Sequence, residues 1–161
     1  MTYAEKIKKA ETYNIKVKYD FSNGNNVVGI YKFFYINGSE RYCFYIGKST
    51  DIGYRLFGAS NGHIYMFINN CFSKLVPLKI KEYLDKGYGI EVLIDEIDYR
   101  DTCFSKAAHR LALAELQEIV KYQEMGQCIF QTPETAGPYE EQFWEKNYKL
   151  EEQTDYYQTL N

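Results

Sequence analysis

The chain has 161 residues, a formal net charge of −3 and four cysteines. This length suits one domain with a sizeable core, and no apolar run is long enough to cross a bilayer. The cysteines stand far apart without a Cys-x-x-Cys pair, which argues against a zinc site or a set of disulfide bonds. The charged opening, residues 1–13, lacks the apolar stretch of a secretory signal, so we expect a cytoplasmic protein without a membrane partner.

In chain order, the first predicted elements are an amphipathic helix within residues 2–20 and an extended lead-in. Two apolar and aromatic runs follow, at residues 27–36 and 41–48, on either side of Asn37-Gly38-Ser39. An Asn-Gly pair between alternating runs is the strongest short-range sign of a β-hairpin. The sequence therefore predicts two antiparallel strands joined by a tight loop.

A three-residue loop places Ile30 opposite Ile46 and Tyr31 opposite Tyr45. In this register the apolar side chains share one face, which we expect to be the core, and both tyrosines share the other. Gly29 and Gly47 would leave room for another molecule beside the two rings. Ordinary sheet aromatics in a tyrosine-rich chain would give the same pattern.

After the hairpin, Ser49, Thr50 and Asp51 offer N-cap chemistry for a short helix that ends near Phe57. Arg55 lies within this helix. The remaining predicted elements are helices at 63–70 and 73–86, a strand at 90–97, a long helix from Asp101 or Thr102 to about 124, and a last helix at 139–150.

Two triplets, Gly29-Ile30-Tyr31 and Tyr45-Ile46-Gly47, followed by Lys48-Ser49 and then Arg55, resemble the GIY-YIG nuclease superfamily. Both triplets are intact on predicted strands, and the arginine stands at the expected distance on a helix. The resemblance covers roughly residues 27–122.

The resemblance implies an α/β fold with a three-stranded antiparallel sheet, formed by the hairpin and a third strand and flanked by helices. We expect a single domain over residues 1–161 with a core at about 27–125. The helix before the core and the extension at 126–150 are additions, and we expect the tail at 151–161 to be frayed.

The resemblance implies that the long helix supplies a metal ligand. Glu115 lies in line with an apolar stripe formed by residues such as Leu111 and Ile119, and a carboxylate there is costly unless it is paired or bound to a cation. Glu118, one turn further on, is the competing candidate. A surface glutamate in an ordinary ion pair is the alternative to both.

The resemblance also implies roles for the other site residues. Tyr31 would act as general base or orient the attacking water, with Lys48 or the metal lowering its pKa. Tyr45 would position the water or the phosphate, and Arg55 would clamp the scissile phosphate. His63 matches a histidine that assists proton transfer in some members; a structural or exposed histidine is the alternative.

The charge is unevenly distributed along the chain. Residues 1–90 carry 13 basic and 7 acidic side chains, a balance of +6, whereas residues 91–161 carry 6 basic and 15 acidic, a balance of −9. Because phosphate binding depends on the local field rather than on net charge, the basic half fits a nucleic-acid partner. A solvated mixture of charges without a binding patch gives the same counts.

Together these features predict a metal-dependent endonuclease that hydrolyses phosphodiester bonds of duplex or branched DNA. The resemblance implies Mg²⁺ or Mn²⁺, no organic cofactor and, as in members that dimerise, a homodimer as one of the assemblies open to it. The alternative is a nucleic-acid- or protein-binding module that kept the fold and does not cleave. The joint presence of Tyr31, Tyr45, Arg55 and Glu115 favours the enzyme.

Overall fold

A computed structural model describes residues 1–21, 27–134 and 136–151. The chain divides into two compact units, Met1–Ile129 and Phe130–Asn161. The elements are α1 (Tyr3–Glu11), β1 (Ile15–Lys18), β2 (Gly29–Asn37), β3 (Glu40–Ser49), α2 (Ile52–Phe57), α3 (His63–Ile68), α4 (Leu75–Asp85), β4 (Gly89–Glu96), α5 (Phe104–Glu124) and α6 (Pro138–Asn147).

The α/β class is confirmed, but the three-stranded antiparallel sheet is wrong. Over the described residues the sheet has four strands in the order β1-β4-β2-β3. Strand β4 pairs antiparallel with β2 and parallel with β1, from Ile15 opposite Ile90 to Lys18 opposite Leu93. The sheet is mixed because the lead-in after α1 forms a strand at the edge of β4.

The hairpin register also differs from the expected one. Asn37 pairs with Glu40, so the loop has two residues, Gly38 and Ser39, with Gly38 at φ +61°. A left-handed conformation costs glycine little because glycine has no Cβ. The register shifts between Phe33, opposite Tyr45, and Phe34, opposite Cys43. Phe44 is therefore an extra residue in β3, which makes this position a β-bulge.

The bulge changes the expected faces of β3. Tyr42 pairs with Tyr35 and stacks on it, with ring centroids 5.1 Å apart. Phe44 contacts Phe33, with ring centroids 5.8 Å apart. Tyr42 and Phe44 thus lie on the tyrosine face, whereas strict alternation would place them with Ile46.

Both faces of the sheet are covered by helices, as expected. On one face, Tyr31 and Phe33 join a large apolar cluster with side chains of α1 to α4, including Ala10, Ile52, Leu56, Ile64, Val76 and Ile80. On the other face, Ile30, Phe34, Cys43 and Ile46 pack against Ala114, Ile119 and Tyr122 of α5. The sheet therefore lies between two helical layers.

The chain that leaves α5 covers part of the outer edge of β3. Gly126, at φ +76°, follows the helix and reverses the chain. Cys43 N–H donates to Oε1 of Gln127 at 2.7 Å, and Cys128 N–H donates to the Cys43 carbonyl at 3.1 Å. These bonds satisfy edge groups that would otherwise be open to another strand and hold the end of α5 at β3.

The second unit contains α6. It begins at Pro138, where proline fits the first turn of a helix, and the Glu140 side chain accepts from the Gly137 N–H at 3.0 Å. The predicted helix at 139–150 is therefore present with shifted ends. The frayed tail predicted at 151–161 falls, from residue 152 onwards, outside the described residues. In the part of the chain that is described, no helix combines the length and apolarity that a membrane crossing requires.

Candidate active site

Tyr31 and Tyr45 lie on the same face of the hairpin, as expected. Tyr31 is paired with Gly47 and Tyr45 with Phe33, so the two tyrosines are diagonal neighbours rather than directly opposed. Their rings stack with centroids 6.2 Å apart. Tyr31 is only 1% exposed, whereas Tyr45 is partly exposed. Both tyrosines therefore belong to one site, in which Tyr31 is buried and Tyr45 is nearer the surface.

The two glycines of the triplets, Gly29 and Gly47, are required for different structural reasons. A Cβ on Gly47 would lie 2.3 Å from both Cζ and Oη of Tyr31, so the Tyr31 ring occupies the space above this residue. A Cβ on Gly29 would lie 2.1 Å from the carbonyl oxygen of Asp95 on the neighbouring strand. Both glycines permit close packing within the protein, and the space at Gly47 brings the Tyr31 hydroxyl over the edge strand.

Arg55 is positioned by α2. The Asp51 side chain caps this helix by accepting from the Tyr54 N–H at 3.2 Å. Nε of Arg55 donates to Oη of Tyr31 at 3.3 Å. Burial by itself lowers the pKa of the guanidinium, but hydrogen bonding and charge from the hydroxyls of Tyr31 and Tyr45 raise it above its ordinary value. Arg55 is therefore a firmly charged group at the two tyrosines.

His63, the first residue of α3, completes the cluster. It is 6% exposed, and its Nε2 lies 3.0 Å from Oη of Tyr31. Its ring also contacts that of Tyr45 edge-on, with centroids 5.7 Å apart. Burial, and next the charge of Arg55, lower the pKa of His63 to about 3. The imidazole is thus neutral at ordinary pH and is bonded to the predicted catalytic tyrosine.

The residues around Tyr31 together raise its pKa rather than lower it. Burial is the largest influence and raises the pKa, and the neighbouring Tyr45 hydroxyl raises it further. Arg55 opposes these effects, while the negative charge of Glu115 adds to them. Lys48 does not act as expected, because its partner in β2 is Ile30, on the opposite face from Tyr31. Tyr31 is therefore a neutral phenol.

Glu115 lies on the α5 side of the sheet. Its side chain is 19% exposed, and Oε1 is 3.8 Å from Nζ of Lys48. The predicted residues thus fall into two groups: Tyr31, Tyr45, Arg55 and His63 on one face, and Lys48 and Glu115 on the other. The groups adjoin at Gly47 and Lys48, since the Tyr31 ring lies over Gly47 and Lys48 is the next residue of β3.

Glu118, the competing candidate, has a structural partner. Lys32 is a 7% exposed lysine in the middle of β2, and its Nζ lies 3.2 Å from Oε2 of Glu118 and 3.0 Å from Oδ2 of Asp95. Burial lowers the pKa of Lys32, but the bonds to the two carboxylates outweigh this and raise it. Glu118 therefore serves to compensate a buried charge.

Glu115 offers a hard divalent ion one carboxylate ligand. Among the described residues, no group of three or more His, Cys, Asp or Glu side chains could hold a metal together. Mg²⁺ is commonly held by one or two carboxylates with waters and substrate phosphates, and Glu115 supplies such a carboxylate. Glu115 could therefore contribute one protein ligand, with the rest from water and substrate.

A pocket of about 330 Å³ opens beside the cluster. Three predicted residues line it, Tyr45, Arg55 and His63, together with residues that sequence reasoning missed: Asn61, Lys74, Leu75 and Val76. Asn61 precedes α3 and Lys74 precedes α4, so two loop positions distant from the hairpin meet at the same opening. From the sequence, Asn61 falls in a turn and Lys74 falls within the predicted helix 73–86, which is why these two did not stand out.

Comparison of the chain with protein-family models, with curated proteins and with solved structures gives no match.

Proposed function

We propose that this protein is a GIY-YIG-type nuclease that hydrolyses DNA phosphodiester bonds. The observation that carries the proposal is the contact of Arg55 with Tyr31: Nε donates to Oη at 3.3 Å, beside His63 and Tyr45. A charged guanidinium next to two phenols and an imidazole combines a phosphate clamp with groups that can orient water and move a proton.

Arg55 would hold the phosphate. A guanidinium carries five N–H donors in a planar fork. Nε is directed at Tyr31 and a further donor at Tyr45, so the fork retains donors for a phosphate oxygen. In the reaction, a water oxygen forms a bond to phosphorus and the bond to the bridging oxygen breaks. The negative charge that develops on the phosphate lies against Arg55, where a fixed positive group is most effective.

Tyr31 and His63 would move the water proton. Because its pKa is raised, Tyr31 does not begin as a phenolate. Arg55 can only donate, so the Tyr31 O–H is free to point at Nε2 of neutral His63. A phosphate bound at Arg55 offsets the positive charge that lowers the pKa of His63. Tyr31 can then accept a proton from water while it passes its own proton to His63.

Glu115 would hold Mg²⁺ or Mn²⁺, which supplies charge neutralisation at the phosphate and at the leaving oxygen. Lys48, 3.8 Å from this carboxylate, balances its charge.

The second candidate is a binding module that does not cleave. One observation favours it: Tyr31 is only 1% exposed, whereas a tyrosine that acts on a water molecule must be accessible to that water. The partly exposed Tyr45 and Arg55 would then serve as contacts for a nucleic acid, and Tyr31 would be a packing residue that supports Arg55.

Nicking of supercoiled plasmid tests both candidates. The parent is incubated with Mg²⁺, with Mn²⁺ and with EDTA, beside Tyr31→Phe and Tyr35→Phe. Tyr35 is the matched control because it lies on the same face of β2 and its hydroxyl bonds Glu40. We expect metal-dependent nicking, lowered about 10²–10³-fold in Tyr31→Phe and unchanged in Tyr35→Phe. DNA binding without nicking by the parent supports the second candidate, and equal nicking by Tyr31→Phe and the parent contradicts the proposed chemistry.

A further inference from the structure

The pocket beside Arg55 has a mixed lining. Arg55 and Lys74 contribute positive charge, Asn61 contributes an amide, Tyr45 a ring, and the aliphatic side chains come from Leu75 and Val76. Among the described residues, no carboxylate lines it. A ligand that suits this lining carries negative charge, a flat apolar part and hydrogen-bonding groups at its edge.

The pocket also has the size of a small-ligand site. Its volume of about 330 Å³ is at the lower end of the usual range for such sites, roughly 300–1,000 Å³. A space of this size holds one nucleotide and excludes a segment of duplex. Arg55 belongs both to this pocket and to the Tyr31 cluster, so a group in the pocket adjoins the phosphate that Arg55 would clamp.

We propose that the pocket binds the nucleotide adjacent to the scissile phosphate, unstacked from its neighbours, with Lys74 on its second phosphate. This inference rests on the proposed function and names its substrate class: a strand in which one nucleotide is single-stranded, mismatched or displaced. The base lies against Tyr45 and Leu75, and Asn61 contacts its edge.

The residue types suit these roles. An amide donates and accepts together and so matches the edge of a base. A lysine ammonium is a flexible point charge that follows a phosphate, whereas Arg55 supplies the planar fork. Stacking on an aromatic ring tolerates any base, and unstacking costs least where the nucleotide is already unpaired.

Binding without metal tests the site separately from catalysis. The parent is titrated calorimetrically in EDTA with thymidine 3′,5′-bisphosphate and with the corresponding deoxyribose bisphosphate that lacks the base. We expect the base-bearing ligand to bind at least ~10-fold more tightly, as stacking and edge contacts add to the phosphate contacts. Equal affinity for the two ligands overturns the proposal.

Variants assign the contacts. Lys74→Ala should weaken both ligands about 10-fold, whereas Asn61→Ala should weaken only the base-bearing one. Lys79→Ala is the matched control, since Lys79 lies in α4, the helix that Lys74 precedes, pairs with Glu82 at 3.2 Å and does not line the pocket. Lys74→Ala binding like the parent, or Lys79→Ala losing as much, would also overturn the proposal.

Cleavage separates failure of this inference from failure of the proposed function. With single-stranded and duplex oligonucleotides of one sequence, we expect a lower KM for the single strand and, in Lys74→Ala, a raised KM with little change in kcat. A parent that cleaves duplex and single strand alike, without base preference in binding, retains the proposed function and loses this inference. A parent that prefers the base-bearing ligand but cleaves neither strand retains nucleotide binding at the pocket and loses the proposed function.

Discussion

Tyr31 and His63 are joined by a buried hydrogen bond, with Oη 3.0 Å from Nε2. Arg55 donates to the same Oη, so both hydrogen bonds form when His63 is neutral and its Nε2 accepts a hydrogen bond from the Tyr31 O–H. Burial and then the charge of Arg55 lower the pKa of His63 to about 3. The folded protein therefore excludes a proton that the unfolded chain takes up in mild acid.

The first prediction concerns acid stability. An unfolded histidine titrates near 6.5, so the contribution of His63 to stability is fully present above pH 6.5 and is lost as the pH falls from there towards 3. The loss is on the order of 5 kcal/mol over the whole interval. Urea unfolding at several pH values between 7.5 and 4 measures it.

His63→Gln should flatten this decline, because the substituted side chain does not titrate. The exposed His109 provides the control, and His109→Gln should retain the slope of the parent. An unchanged slope in His63→Gln would show that other groups cause the loss in acid.

The second prediction concerns Arg55. Arg55→Ala should reduce cleavage at least ~10²-fold and weaken DNA binding only a few-fold, because a clamp on the reacting phosphate acts chiefly in the transition state. Arg55→Lys should restore little, since lysine lacks the planar fork. Single-turnover cleavage and fluorescence anisotropy measure the two effects.

Arg41→Ala is the control for Arg55, because Arg41 lies near the hairpin loop and pairs with Glu91 at 2.7 Å. For the parent, the logarithm of the DNA-association constant should fall by about 0.9 per phosphate contact for each tenfold rise in salt concentration. Equal losses of binding and cleavage in Arg55→Ala would make Arg55 one phosphate contact among others.

The third prediction separates Glu115 from Glu118. Glu115→Gln should lower metal-dependent cleavage at least ~10³-fold, comparable to the loss of a major electrostatic group, with little change in the melting temperature. Glu118→Gln should keep cleavage and lose roughly 1–3 kcal/mol, because it weakens the compensation of buried Lys32. Plasmid nicking and thermal melts of both variants are compared directly.

Inactive Glu118→Gln beside active Glu115→Gln would place the metal one turn further along α5. Cleavage at the parental rate in both variants would remove α5 from the site.

The fourth prediction concerns Gly47. A Cβ there would lie 2.3 Å from the ring and hydroxyl of Tyr31, so Gly47→Ala must displace Tyr31, at a cost of about 1–3 kcal/mol. Cleavage should fall with it, since the hydroxyl loses its position beside Arg55 and His63. Chemical denaturation and nicking assays give the two values.

Gly38→Ala is the matched control. Gly38 has a positive φ but nothing within 4 Å of an added Cβ, so alanine there costs about 1 kcal/mol of backbone strain and should leave cleavage intact. If Gly47→Ala cleaves like Gly38→Ala at similar stability, the close fit of Tyr31 over Gly47 has no role in activity.

The sequence by itself determined the local elements of this protein. It predicted the hairpin, the short helix after Asp51, the strand now seen as Gly89–Glu96 and the long α5, because these depend on turn residues, caps and periodicity within a few positions. It also predicted that Tyr31 and Tyr45 share a face. This placement is correct, but it arises from a different register: the loop has two residues, and the bulge at Phe44 shifts the pairing so that Tyr45 lies on the face of Tyr31.

Only the tertiary structure decided the long-range features. Strand β1 is four residues long and exists through its pairing with β4 across most of the chain, and the bulge at Phe44 depends on the match between two strands. Burial of both sheet faces removes Tyr31 from solvent and raises its pKa, and the packing of α3 brings His63 to its hydroxyl. Asn61 and Lys74 line the pocket because α3 and α4 pack beside the hairpin. The local sequence around each residue does not indicate this long-range packing.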